Sequence, residues 1–203
     1  MGYHSDTLHK GLDLMYRGEL IALVGLIVGI FVLFIPVIGL ILGLVVLLAA
    51  LVGGIMSLVA SFRLSREHRD YQTALVLLIA SLACNLIERA VSGGGASVVL
   101  SVVQSVCSLG EIYFFIRATN SFLSQEGRED KVQQGRKVFM LQLIACVLSI
   151  VLGALLVVLA EDMTLLLVLA LVIGVVAIVP AAFFIQYLKD SAEVFRPAGP
   201  EGY

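Results

Sequence analysis

From Leu20 to Phe62 the chain carries no Asp, Glu, Lys, Arg or His. One straight helix over that stretch would be about 64 Å long at about 1.5 Å per residue, twice the roughly 30 Å hydrocarbon core of a bilayer. A run so long and so apolar has to turn back on itself. Its only turn signal is the segment from Phe34 to Gly39, which contains Pro36. Proline removes a backbone donor and glycine relaxes the backbone, so a helix ends there. The run therefore predicts two membrane helices, about 19–35 and about 38–62.

The rest of the chain repeats the pattern. Apolar stretches predict further helices at about 71–90, 97–120, 138–160 and 164–187. Of the 203 residues 60% are hydrophobic and only 14% are charged, against roughly 25% charged in soluble domains. A soluble domain of this size has no room to hide that much apolar surface, so the bilayer is the natural solvent. The net charge of −2 says nothing about nucleic acid, and with no basic tract no nucleic-acid partner is expected.

The breaks between helices alternate in character. Residues 63–70 and 124–137 are charged, whereas the breaks after helices 1, 3 and 5 are short and lack Lys and Arg. Placing both termini with the charged loops puts 12 of the 13 Lys and Arg on one side, leaving Arg89 on the other. The positive-inside bias then makes that side cytoplasmic. The expected fold class is all-α: a polytopic membrane protein with six transmembrane helices as three consecutive hairpins. Both termini are expected in the cytoplasm, and the inner (plasma) membrane is the expected location. The expected organisation is one six-helix domain over 1–190. Residues 1–18 are expected as a cytoplasmic amphipathic segment, with Leu8, Leu12 and Met15 on one face, either lying in the interface or extending helix 1 into water. Residues 191–203 are expected as a disordered tail. No cleavable signal is apparent, and Asp6 stands where a myristoylation motif needs Ser or Thr.

Three helices each carry one polar stripe. Ser97, Ser101, Gln104, Ser108 and Glu111 on helix 4 are spaced 4, 3, 4, 3, and at about 100° per residue they fall within a sector of about 80°. Helix 3 carries Ser81, Asn85, Glu88 and Ser92, and helix 5 carries Gln142, Cys146, Ser149 and Gly153, at similar spacing. Polar groups in hydrocarbon lack partners unless they face protein or a wet cavity. Glu111 is the most demanding of them. An acidic or basic residue at mid-helix costs at least about 2.5–3.5 kcal/mol on the insertion scale. It is expected to be protonated, to face water, or to bond with Gln142 at similar depth. Arg117 points to the opposite side of helix 4 and is a poor partner for it.

Glu111, Gln104, Ser108, Asn85 and Gln142 are therefore the expected ligand- or ion-binding residues, with Glu88 and Arg89 as a gate at the outer mouth. Helices 1, 2 and 6 instead carry Gly and Ala at three- and four-residue spacing, which lets backbones approach closely, within the chain or between subunits. Cys84, Cys107 and Cys146 all fall within apolar runs and are expected as small buried hydrophobes, not disulfides.

No phosphate loop, nucleophile elbow or intramembrane Ser–His pair is present. His4, His9 and His68 fall outside the spans, so no metal site, cofactor or catalytic residue is expected, and the protein is not expected to be an enzyme. The expected function is binding or transport of a small molecule or ion through a polar seam between helices 3, 4 and 5. The alternatives are a structural or regulatory membrane subunit whose stripes bind a partner, and an oligomeric channel with Glu111 ringing a pore. The expected partners are the lipid bilayer and either a second copy of the chain or a partner membrane subunit.

Overall fold

The computed structural model describes residues 2–32, 39–90, 95–158 and 163–197, with side chains over 5–30, 42–88, 99–153, 168–169 and 171–197. The described chain is helical throughout, with six helices: α1 Gly2–Val32, α2 Gly39–Leu64, α3 Arg69–Ala90, α4 Gly95–Gln125, α5 Glu129–Val158 and α6 Met163–Val194. Five of them, α2 to α6, are long and apolar enough to cross a bilayer within their described residues. In α1 the charges of Asp6, Lys10, Asp13, Arg17 and Glu19 leave only the stretch from Leu20 to Val32 uncharged.

Each helix packs on the next, and α6 closes back on α1, so the six form a ring. The helices reach further toward the charged loops than apolar runs alone indicate. Residues 124–137 are nearly all helical: α4 continues to Gln125, and α5 begins at Glu129. Hydrophobic periodicity stops where polar residues begin, but the extensions are held by packing against one another. Gly127 has φ +70°, and the Arg128 N–H donates to the Leu123 carbonyl at 2.9 Å, the Schellman arrangement that ends α4 in three residues.

These extensions hold the tightest packing among the described residues. Leu12, Leu64, Tyr71, Phe115, Leu123, Tyr187 and Leu188 are all fully buried, and they join one apolar cluster drawn from all six helices. The N-terminal part of α1 belongs to it through Leu8, Leu12 and Met15, and the end of α6 through Ala192 and Phe195. The start of α1, the end of α6 and both charged loops therefore meet at one end of the ring. Polar staples cross this end. The His9 Nδ1–H donates to the Ala192 carbonyl at 2.8 Å, and Lys131 Nζ meets Asp190 Oδ2 at 2.8 Å. Tyr71 Oη and Thr119 Oγ1 lie 2.8 Å apart, fully buried.

Away from this end, the outward faces carry exposed Leu47, Leu51, Val76, Val106, Ile144 and Val175. A belt of large apolar side chains on every such helix is what a lipid-facing surface requires.

The small-residue grooves meet other helices of the same chain. A Cβ on Gly18 would lie 2.9 Å from the Gly53 carbonyl oxygen, and one on Gly53 would lie 2.7 Å from that of Gly18. Gly25 faces Ala49, Gly29 faces Val46, and Gly174 faces Ile30. The Gly25–Gly29 face thus packs α1 on α2.

Candidate binding site

The ring is packed at its charged end and holds an open cavity of about 430 Å³ further along, between α3, α4 and α5. This falls within the roughly 300–1,000 Å³ usual for small-molecule sites. Most of the lining comes from α4: Ser101, Gln104, Ser105, Ser108, Leu109 and Ile112. Glu88 comes from α3, and Gln142 and Cys146 come from α5. Ser108, Ile112, Phe115 and Thr119 follow one another at intervals of four, three and four residues, so they share a face of α4. Phe115 and Thr119 on that face are buried in the core cluster or beside it. The cavity therefore opens toward the inside of the ring.

Its lining is polar with few internal partners. Ser108 Oγ donates to Ser81 Oγ on α3 at 3.4 Å, a weak contact that ties α4 to α3. Ser105 Oγ donates to the Ser101 carbonyl at 2.8 Å and so stays on its own helix. Gln142 Oε1 is buried without a hydrogen-bond partner among the described residues. A buried amide oxygen left unpaired costs about 1–3 kcal/mol, so this atom has reason to take a donor from an occupant. The described lining contains one carboxylate, Glu88, and no cationic side chain.

Of the residues singled out from the sequence, Gln104, Ser108, Gln142 and Glu88 come together around this cavity. Asn85 is half-buried on α3 and not part of the lining. The side chain of Arg89 lies outside the described residues. Glu111 continues the same stripe one turn deeper but is not a lining residue, and no hydrogen bond joins it to Gln142. Its acidic neighbour is Glu19 of α1, across the ring. Glu19 in turn accepts a hydrogen bond from Ser57 Oγ of α2 at 3.0 Å. Deeper still, Phe115 packs edge-on against Tyr71 at 5.3 Å and Phe184 at 6.0 Å between ring centroids. In order of depth, the interior thus presents a polar cavity, a pair of acids and an aromatic plug.

Glu19 was not singled out from the sequence. It stands at the boundary between the charged first turns of α1 and the apolar run, where it reads as a helix end at the interface. The signal that finds it is its place beside Gly18, whose contact with Gly53 draws α1 onto α2 and turns Glu19 toward Ser57. Arg117 pairs with Asp70 at the start of α3 through Nε at 3.3 Å, away from Glu111. Among the described residues, no three of His, Cys, Asp and Glu converge as metal ligands.

No family model matches this chain, and neither curated proteins nor solved structures show a significant match to it.

Proposed function

We propose that this is an integral membrane protein that binds or transports a small polar ligand carrying positive charge. The observation that carries the reading is the cavity of about 430 Å³. Glu88, Gln104 and Gln142 offer one carboxylate and two amides, and the described lining holds no cationic side chain. The Glu19–Glu111 pair one turn deeper places two further carboxyl groups along the same path. Fixed carboxylates with low-dielectric walls attract cations and repel anions. A subunit whose stripes served only to hold a partner would be packed solid here. The six helices span the inner membrane with both termini and both charged loops in the cytoplasm, following the Lys and Arg distribution. The cavity is then open on the outer side and closed on the cytoplasmic side by Phe115, Tyr71 and Phe184.

The test uses the purified chain in lipid nanodiscs, titrated with potassium, ammonium, tetramethylammonium and, for contrast, acetate. At least one cation raises the melting temperature in a saturable way, and Glu88→Gln weakens that response. In proteoliposomes, Glu111→Gln preserves the fold and removes the pH dependence of cation flux. A response to acetate equal to that for every cation, or no response to any ion, overturns the reading.

A further inference from the structure

A second recess lies at the packed end, between α4 and α5. It encloses about 520 Å³ and is lined by Tyr113, Ile116, Arg117, Asn120, Val132, Arg136, Phe139 and Met140. We infer that this recess is a binding site for the headgroup of an anionic phospholipid, with Arg117 and Arg136 holding the phosphate and the apolar wall holding the start of an acyl chain.

Depth supports this. Arg117 stands eight residues before Gln125, about 12 Å from the end of α4, and Arg136 stands seven residues after Glu129, about 10 Å into α5. The two arginines thus approach one level from opposite arms of a helical hairpin, about two turns below the exposed Arg128 turn. That is where the headgroup layer lies if the helices cross the bilayer.

Charge supports it too. Arg136 is exposed and makes no hydrogen bond or ion pair among the described residues. Among the described residues Arg117 meets only Asp70, through Nε. The Asn120 Oδ1 accepts the Tyr187 hydroxyl at 2.9 Å, so its amide nitrogen is the part left to donate. These groups match a phosphodiester, since a guanidinium fork binds phosphate oxygens in pairs.

The remaining wall fits an acyl chain. Tyr113 packs on Phe139 at 5.2 Å between ring centroids. Tyr113 and the neighbouring Met140 are exposed on the outer surface. Basic recesses between membrane helices on the cytoplasmic side are the usual place for such headgroups. The site is separate from the α3–α4–α5 cavity and does not depend on what that cavity binds.

The experiment is native mass spectrometry of the full chain released from nanodiscs containing equal phosphatidylglycerol and phosphatidylcholine. The wild-type chain retains phosphatidylglycerol preferentially. Arg136→Gln lowers that retention about fivefold. Lys137→Gln, which removes the same charge one residue away and outside the recess, leaves it unchanged. Inorganic phosphate at millimolar concentration does not displace the lipid, because it lacks the acyl chain. Equal retention of the two lipids, equal loss in both variants, or displacement by free phosphate each overturns the proposal, the last by marking a site for the free anion.

Discussion

Ser57 Oγ of α2 donates a 3.0 Å hydrogen bond to Glu19 Oε1 of α1, and across the ring that same carboxyl group is the acidic neighbour of Glu111 on α4. Two acids from distant parts of the chain thus share the interior one turn below the cavity. A double-mutant cycle of Glu19→Gln and Glu111→Gln should show a coupling energy of about 0.5–3 kcal/mol, as expected of residues that interact directly. Strict additivity in thermal denaturation would place the two carboxyl groups in separate environments.

Gly18 and Gly53 bring the backbones of α1 and α2 close together. A side chain on either glycine runs into backbone, which cannot yield as a flexible side chain can. Gly53→Leu should destabilise the folded chain by about 1–3 kcal/mol or more. Gly54→Leu, one position on, meets nothing within 4 Å and should be tolerated. Equal melting temperatures for the two variants would mean that α1 does not pack on α2 at this point.

At the packed end, Tyr71 and Thr119 respond unequally to loss of their shared hydrogen bond. Tyr71→Phe leaves Thr119 Oγ1 still donating to the Phe115 carbonyl at 3.0 Å, so the cost should be about 1 kcal/mol. Thr119→Val keeps the shape but strands the fully buried Tyr71 hydroxyl, and the cost should reach about 1–3 kcal/mol. The reverse order in a thermal unfolding series would show that the hydroxyl finds another partner.

The sequence carried much of the architecture. Hydrophobic runs located all six helices, because burial in lipid demands a long apolar stretch that nothing else in the chain imitates. The 4, 3, 4 spacing put Gln104, Ser108, Gln142 and Glu88 on helix faces that line the cavity, while Glu111 and Asn85 on the same stripes are not lining residues. Two things were hidden. The helices run past their apolar segments, since Leu123, Val132 and Leu188 are held by packing between extensions whose local sequence reads as charged loop. Glu19 was hidden as well, because its inward direction follows from the Gly18–Gly53 contact, a tertiary relationship that one-dimensional periodicity does not encode.

Orientation in the bilayer is open to direct measurement. In a chain with its three cysteines replaced by alanine, Arg128→Cys in the exposed turn between α4 and α5 should react with a membrane-impermeant maleimide only after intact cells are permeabilised. Labelling from outside would invert the map.

The cavity itself can be read through a native thiol. Cys146 is a free, half-buried cysteine that lines it. With Cys84→Ala and Cys107→Ala, Cys146 is the only thiol left to report. Reaction with methanethiosulfonates needs water at the sulfur, and an acidic interior favours a reagent of positive charge. The account predicts that Cys146 reacts from the outer side, and that the trimethylammonium reagent outpaces the sulfonate reagent once both rates are corrected to those with a free thiol. Failure of Cys146 to react with either, or a faster reaction with the anionic reagent, would contradict a water-filled, cation-selective cavity between α3, α4 and α5.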